Sequence, residues 1–158
     1  MKRLLFATLC ICIVSISFAQ KKKEVKKYKI KAVTVSNTEN GKTINDSRTV
    51  FGTTGEAIEE INYDKNGVLK TTIKYKHNSE GDVLEEAEYD EKGALKEKRN
   101  FKYNSLGEKI EETITDTNGK LVKKNVYTYD GKGLKTERKS FDANNNLISV
   151  KKYTYEYK

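Results

Sequence analysis

Hydrophobic and polar positions alternate along most of the chain, and turn residues interrupt the alternation at regular intervals. Segments such as 69–77 (LKTTIKYKH) and 121–129 (LVKKNVYTY) combine this alternation with β-branched and aromatic residues, which is typical of strands. The pattern predicts no helix of useful length after residue 19. It predicts ten strands, at about 27–37, 43–51, 57–63, 69–77, 83–89, 95–103, 109–115, 121–129, 135–141 and 147–157.

The turns form an internal repeat. Their key positions follow one another at intervals that alternate between 14 and 12 residues, so the unit is a 26-residue pair of strands present about four times. We expect a structural turn at each of Gly41, Gly55, Gly67, Gly81, Gly93, Gly107, Gly119, Gly133 and Asn145.

The turn chemistry predicts how the strands pair. Tetrapeptides such as Asp-Lys-Asn-Gly (64–67) are typical of three-residue hairpin loops, in which Gly or Asn takes a positive φ and Asp accepts a turn N–H. This geometry places the residue four before the turn position opposite the residue two after it. The predicted pairs are Phe51–Ala57, Tyr63–Leu69, Tyr89–Leu95, Tyr103–Lys109, Tyr129–Lys135 and Phe141–Leu147.

All twelve aromatic residues after residue 50 are odd-numbered, as is every turn position. Because strand side chains alternate between faces, this parity predicts one aromatic face of the sheet. The candidate binding face consists of Tyr63, Tyr75, Tyr89, Tyr103, Tyr127, Tyr129, Tyr153, Tyr155 and Tyr157.

The predicted fold class is all-β: a long antiparallel meander of about ten strands in a curled single-layer sheet. The alternative is a closed or partly closed up-and-down barrel, since the alternating intervals imply a slide of the strands that a barrel also uses. Several odd-numbered residues in the middle of strands, such as Glu85 and Glu111, are charged and would lie on the same face as the aromatic residues. Charges on that face are unfavourable in a dry barrel interior, so they favour the open sheet.

The first 19 residues have the features of a secretory signal peptide. Lys2 and Arg3 precede an apolar run that is too short to favour a membrane span, and Ser17-Phe18-Ala19 offers a cleavage site. A retained signal anchor is the alternative. Removal of residues 1–19 takes both cysteines with it and leaves no transmembrane segment. We therefore predict export, to the periplasm, the cell surface or the medium.

Positive charge is concentrated behind the signal. Residues 21–31 hold seven Lys against Glu24, while the remainder of the exported chain is neutral overall. Residues 20–27 are predicted to be a basic flexible leader, and residues 28–158 the β-repeat domain. The leader is a candidate for contact with anionic envelope components. Without a basic stripe elsewhere, nucleic acid is not an expected partner.

Candidate catalytic chemistry is sparse. The single histidine, His77, occupies a repeat position that is aromatic in other units, and adjacent carboxylates such as Glu85 and Glu86 point to opposite faces of a strand. The turn role accounts for the Asp and Gly residues that resemble a calcium loop, which needs more oxygen ligands. The sequence predicts no enzyme activity, no metal site and no cofactor.

The recurring motif Tyr-Asp-x-x-Gly-x-Leu, at residues 63–69 and 89–95 with a variant at 141–147, resembles the YD repeats of RHS-type proteins. The resemblance covers roughly residues 38–157. Members of that family build large β shells around toxins, and this chain is too short for a shell. The signal followed by a small tyrosine-rich repeat is also similar to short exported proteins of Bacteroidota, some of which carry sugar-binding labels.

Two classes of function remain open from the sequence. One is a structural or interaction module at the cell envelope, whose sheet edges pair with an envelope protein or with another copy of itself. The other is a carbohydrate- or peptidoglycan-binding module that uses the tyrosines as platforms for sugar rings.

Overall fold

The computed structural model describes residues 18–39 and 41–157. The apolar part of the predicted signal peptide, including both cysteines, lies outside these residues. One helix, α1, spans Phe18–Lys27. Ten strands follow: β1 (Ala32–Glu39), β2 (Lys42–Phe51), β3 (Ala57–Tyr63), β4 (Leu69–His77), β5 (Val83–Tyr89), β6 (Leu95–Tyr103), β7 (Lys109–Thr115), β8 (Leu121–Tyr129), β9 (Lys135–Asp142) and β10 (Leu147–Lys152).

The strands form one antiparallel sheet in which each strand pairs with its neighbours in the chain. β1 and β10 lie at the two edges and do not pair with each other, so the sheet is open. The predicted all-β meander of about ten strands in a single layer is confirmed, and the alternative of a closed barrel is not what forms.

The predicted turns are confirmed. All eight turn glycines have a positive φ, between 75° and 93°, and Asn145 has a φ of 64°. At the turn that follows β3, Gly67 N–H donates to the carbonyl of Asp64, and Asp64 Oδ1 accepts hydrogen bonds from the N–H groups of Asn66 and Val68. The acceptor oxygen takes both bonds at Asp64, Asp90, Asn104, Asp116, Asp130 and Asp142.

The turn acceptors have a measurable role in stability. Asp90→Ala leaves the N–H groups of Lys92 and Ala94 without their acceptor, and we expect a loss of about 1–2 kcal/mol in the free energy of unfolding. Urea denaturation followed by circular dichroism measures this loss. Glu91→Ala, at an exposed neighbour in the same loop, is the control and should change the value by less than about 0.5 kcal/mol. Equal effects of the two changes would contradict this role of Asp90.

The six predicted cross-strand pairs are all present in the register. At the next position away from the turn, however, the register shifts by one residue, because one strand of the hairpin has an extra residue there. At the β3–β4 hairpin, Tyr63 lies opposite Leu69, but Asn62 lies opposite Thr71. Since opposite residues share a face, odd residues of β3 share a face with even residues of β4.

The prediction that all odd-numbered residues share one face is therefore wrong. Thr72 lies opposite both Tyr89 and Ile61, while Tyr75, three residues further along β4, points to the other face. We call these the Tyr89 face and the Tyr127 face. The Tyr89 face carries Tyr63 and Tyr89, and the Tyr127 face carries Tyr75, Phe101, Tyr103, Tyr127, Tyr129 and Tyr153.

The chain ends differ from the sequence-based prediction. The basic segment 20–27, expected to be a flexible leader, is helical and belongs to α1, so the prediction of no helix after residue 19 is wrong. β1 starts at Ala32 rather than near residue 27. β10 ends at Lys152 rather than at residue 157. Within the described residues no helix is long and apolar enough to cross a membrane.

Candidate binding surfaces

The Tyr127 face has a buried polar centre between β7 and β9. Glu112 Oε2 accepts hydrogen bonds from Tyr127 Oη at 2.6 Å and from Asn125 Nδ2 at 2.8 Å. Ser140 Oγ donates to Asn125 Oδ1 at 2.7 Å. Each of these four side chains is less than 9% exposed. Polar groups that are buried without hydrogen-bond partners destabilise a fold, and the network supplies those partners. Because its bonds join β7, β8 and β9, the network fixes the alignment of these three strands.

Burial and hydrogen bonding shift the acidity of this centre. Burial alone would raise the pKa of Glu112, but the hydrogen bonds from Tyr127 and Asn125 hold that pKa below its usual value. Burial, reinforced by the Glu112 carboxylate, raises the pKa of Tyr127 far above the ordinary value of a phenol. At neutral pH Tyr127 is therefore a hydrogen-bond donor to a charged carboxylate.

Lysine ammonium groups and aromatic rings form an alternating row from β6 to Tyr153, the residue that follows β10. Lys109 Nζ lies 4.6 Å from the ring centre of Phe101 and 5.4 Å from that of Tyr127. Lys135 Nζ lies 4.5 Å from the Tyr127 ring centre and 5.8 Å from that of Tyr153. Phe101 and Tyr127 are each only 7% exposed. These rings are packed beneath lysines and offer little free aromatic surface to a sugar.

A second set of tyrosines is held by the sheet's own backbone. The hydroxyl groups of Tyr103, Tyr129 and Tyr155 donate to the carbonyl oxygens of residues that each lie 20 positions earlier in the chain. The repeated geometry identifies a structural role. The bonds of Tyr103 and Tyr129 tie the end of one strand to the start of its neighbour, and that of Tyr155 ties the segment after β10 to the start of β9. His77 occupies the equivalent position at the end of β4, as the repeat predicts, and its burial lowers its pKa.

The predicted binding face is thus divided. Tyr75, Tyr103, Tyr127, Tyr129 and Tyr153 share a face, Tyr63 and Tyr89 lie on the opposite one, and Tyr155 and Tyr157 follow the last strand. Among these, Tyr157 has the most open ring, at 68% exposed, with Lys132 Nζ 4.8 Å from its centre.

Helix α1 is docked on the loop that precedes β3. Val25 is 3% exposed, and Lys22 Nζ forms an ion pair with Glu56 Oε1 at 2.5 Å. The carbonyl oxygen of Lys22 would lie 2.8 Å from a Cβ added at Gly55, so the helix backbone approaches the loop as closely as glycine permits. No sequence pattern indicated this contact, since residues 20–27 contain a single aliphatic residue, Val25.

The Lys22–Glu56 pair makes helix docking dependent on pH. Burial opposes the charged form of Glu56, but the hydrogen bonds from Lys22 and Thr54 outweigh burial and lower the pKa of that carboxyl from 4.5 to about 2. A depressed pKa stabilises the folded state above the unfolded-state pKa, and that contribution is lost as pH falls from about 4.5 to about 2.

We expect the free energy of unfolding to fall more between pH 5 and pH 2.5 in the wild-type protein than in the Glu56→Gln variant. Urea titrations at both pH values measure this difference, and Glu91→Gln provides a control carboxylate with an exposed position. Identical pH dependence of the Glu56→Gln variant and the wild-type protein would show that the ion pair does not hold α1 in solution.

The outer edge of β10 is an open surface. All six of its residues are exposed. Leu147, Ile148 and Val150 are 54%, 56% and 43% exposed. The equivalents of Leu147 and Val150 in β8, Leu121 and Lys124, are half-buried, whereas Val122, the equivalent of Ile148, is also exposed. An exposed edge with apolar side chains is a ready site for the addition of another strand.

A polar surface cavity of about 500 Å³ lies near the turn-end of β3 and β4. Within it, Lys96 Nζ pairs with Glu88 Oε1 at 2.5 Å. Tyr63 is the one member of the predicted binding face that lines it. The lining residues are Asp46, Ser47, Asn62, Tyr63, Lys70, Thr71, Glu88 and Lys96. Among the described residues, no group of three or more His, Cys, Asp or Glu side chains is placed to hold a metal ion.

No protein-family model matches the chain, and no curated protein shows significant similarity to it. Among solved structures, the chain is similar to a Bacteroides fragilis protein with unknown function, at 14% identity and a TM-score of 0.41 over 80% of this chain and 96% of that one. It is also similar to a DUF3836 family protein from Parabacteroides distasonis, at 17% identity and a TM-score of 0.27 over 72% and 92% of the two chains.

A third likeness is to TarM from S. aureus, at 13% identity and a TM-score of 0.32 over 80% of this chain. The matched region spans 22% of TarM, so this chain corresponds to about a fifth of that protein. All three likenesses are distant. They carry no argument about function, and the fold described above rests on the strand pairing itself.

The sequence-based prediction did not identify Glu112, Asn125 and Ser140 as buried polar residues. Its parity rule placed Glu112 and Ser140 on the face opposite the aromatic residues, and Asn125 on the aromatic face. The 26-residue repeat contained one usable signal. Glu60, Glu86 and Glu112 occupy the same repeat position, and the next unit has Arg138 there instead. Tyr75 Oη donates to Glu60 at 3.2 Å much as Tyr127 does to Glu112, so the position holds a tyrosine partner in two units.

Proposed function

We propose that the protein is a non-enzymatic interaction module of the cell envelope, exported by its N-terminal signal. The observation that carries the proposal is the open edge of β10, with all six residues exposed and three of them large and apolar. Much of the Tyr127 face is taken up by its own packing, through the buried Glu112 network and the lysine–aromatic row. The edges therefore offer the backbone groups that a partner can use.

Site-specific photocrosslinking in cells tests this function. A photoreactive residue placed at Ile148 on β10, and another at Thr34 on β1, reports on the two edges, both of which are exposed. We expect a discrete adduct with an envelope protein from at least one edge, in a fraction separated from the cytoplasm. Recovery of the protein in the cytoplasmic fraction, or no adduct from either edge, would contradict the proposal.

The second candidate is a carbohydrate- or peptidoglycan-binding module, and the observation that favours it is the polar cavity beside Tyr63. Its amide, hydroxyl and charged groups suit the hydroxyl groups of a sugar, and Tyr63 supplies an apolar surface beside them. Calorimetric titration with soluble peptidoglycan fragments and a glycan panel tests it. Saturable binding that Asn62→Ala abolishes and Tyr157→Ala leaves intact would support this candidate, and absence of binding would remove it.

A further inference from the structure

Strand β4, which is equivalent to β10 in the repeat, indicates what kind of strand could pair with the outer edge of β10. The two strands lie three repeat units apart, and they share leucine at Leu69 and Leu147, lysine at Lys74 and Lys152, and tyrosine in the next position. β4 is covered on both sides, by β3 and by β5, whereas β10 pairs with β9 alone. The side of β10 that faces away from β9 is therefore the side on which β4 carries β5.

The β4–β5 contact shows which chemistry suits that side. Lys76 Nζ pairs with Glu85 Oε1 at 2.9 Å, and Lys74 Nζ lies 5.3 Å from the ring centre of Tyr89. Tyr75 lies opposite Glu86 in the register. Applied to β10, this register sets an incoming glutamate opposite Tyr153 and another opposite Lys151, and it sets a tyrosine ring beside Lys152.

Residues 153–155, which follow β10, have the side-chain contact of a strand but are not part of one. The equivalent strands β6 and β8 continue to Tyr103 and Tyr129, but β10 ends at Lys152, three residues short of the equivalent Tyr155. Tyr155 Oη nevertheless donates to the carbonyl of Lys135, as Tyr129 Oη does to Lys109. The Tyr155 side chain is thus positioned as in a strand that extends to residue 155. On the side away from β9, however, this segment has no neighbouring strand among the described residues.

The charge of this end of the protein favours an acidic partner. Residues 32–120 contain 13 basic and 18 acidic side chains, whereas residues 121–158 contain nine basic and four acidic ones. The substitution of the repeated glutamate by Arg138 adds to this difference, and Arg138 lies directly opposite Lys151 on β10. Opposite charges on neighbouring strands stabilise pairing, and like charges oppose it.

We propose that β10 binds an acidic extended segment of a partner protein, which adds to the sheet as an antiparallel eleventh strand and extends the ordered strand through Tyr155. The proposal rests on the proposed interaction function and names its partner chemistry. The required segment resembles β5, with glutamates on alternate and adjacent positions and a tyrosine near its end. A second copy of this chain is a poorer match, because its free strand β1 (AVTVSNTE) has one acidic residue, at its end.

A peptide with the sequence of residues 81–90 (GDVLEEAEYD) is the probe. Binding of the labelled peptide to the full chain is measured by fluorescence anisotropy. We expect saturable binding that weakens at least about tenfold with Lys151→Glu/Lys152→Glu and also weakens with rising salt. A peptide in which the three glutamates are lysines should bind the wild-type protein weakly and regain affinity for the double variant. Lys65→Glu/Lys92→Glu, which makes the same charge change at exposed turns, should leave binding unchanged.

Backbone N-methylation distinguishes strand addition from charge attraction. Methyl groups on alternate residues of the probe block one hydrogen-bonding edge, and methyl groups on the other alternate set block the opposite edge. We expect one of these two peptides to lose binding and the other to keep it. Equal binding by both, no binding of the parent probe, or indifference to the double variant would overturn the proposal. A concentration-dependent dimer in light scattering that excludes the probe would overturn it in favour of a second copy.

The photocrosslinking experiment keeps the two proposals separable. Adducts from Thr34 on β1 with none from Ile148 on β10 would retain an interaction module and overturn the assignment to β10. The absence of adducts from both positions would overturn the interaction function itself. An adduct from Ile148 with a protein that has no acidic β-forming segment would overturn the proposed partner chemistry.

Discussion

Replacing Tyr127 with alanine is expected to lower the free energy of unfolding by about 3–5 kcal/mol. The ring is 7% exposed and lies between the ammonium groups of Lys109 and Lys135. Its hydroxyl group donates to Glu112, which is itself buried. The change removes a large buried ring and leaves two lysines and a carboxylate with fewer partners. Urea denaturation monitored by circular dichroism measures the loss.

Two further variants separate the contributions of the ring and the hydroxyl group. Tyr127→Phe keeps the ring and removes the bond to Glu112, and we expect it to cost about 1–3 kcal/mol. Tyr157→Ala, at a ring that is 68% exposed, should cost less than about 0.5 kcal/mol. A loss at Tyr127→Ala no greater than that at Tyr157→Ala would show that the Tyr127 face is not the stabilising face of the sheet.

The second large effect is expected at Gly55. Its φ of +92° disfavours any side chain, and an added Cβ would meet the Lys22 carbonyl oxygen of α1 at 2.8 Å. We expect Gly55→Ala to destabilise the protein by about 1–2 kcal/mol from the backbone conformation alone, and by more because α1 must move away from the loop. The loss of α1 docking should also raise hydrogen exchange of the α1 amides.

Gly93→Ala is the matched control. Gly93 has a φ of +79°, and no atom lies within 4 Å of an added Cβ, so that variant reports the backbone term alone. The excess loss at Gly55 measures the contact with α1. If the two alanine variants lose equal stability and exchange at the α1 amides does not change, α1 does not dock on this loop in solution.

The hairpins could be predicted from the sequence because the residues that determine each of them lie within a few positions of one another. A positive φ selects glycine or asparagine, and the preceding Asp or Asn supplies the acceptor, so spacing and residue type together specified each turn and its adjacent pair. The face assignment failed for a different physical reason. Each hairpin contains one extra residue beyond its predicted pair, as at Asn62 and Thr71. The hydrogen bonding between the strands determines where that extra residue is accommodated. The spacing of the turns is the same with or without the extra residue, so the spacing could not reveal the change of face.

The docked helix and the buried polar network depended on tertiary contacts that the sequence does not display. Within residues 20–27 of α1, Val25 is the single aliphatic residue, which by itself makes no amphipathic pattern. The position of Val25 is set by contact with a loop 30 residues away. Glu112 is even-numbered, so the parity prediction placed it on the face opposite the aromatic residues, and carboxylates are mostly exposed in proteins unless paired. Only the register shows that Tyr127 and Asn125 surround it.

Pairing between chain neighbours alone has a consequence for how the molecule folds. Every interstrand contact in the sheet closes a short loop, so each hairpin can form without waiting for a distant segment. Such an array behaves as a one-dimensional zipper, in which order nucleates at any internal hairpin and spreads outward. We expect the terminal hairpins to fray first, so amide protection should decline from β7 and β8 towards both ends of the chain.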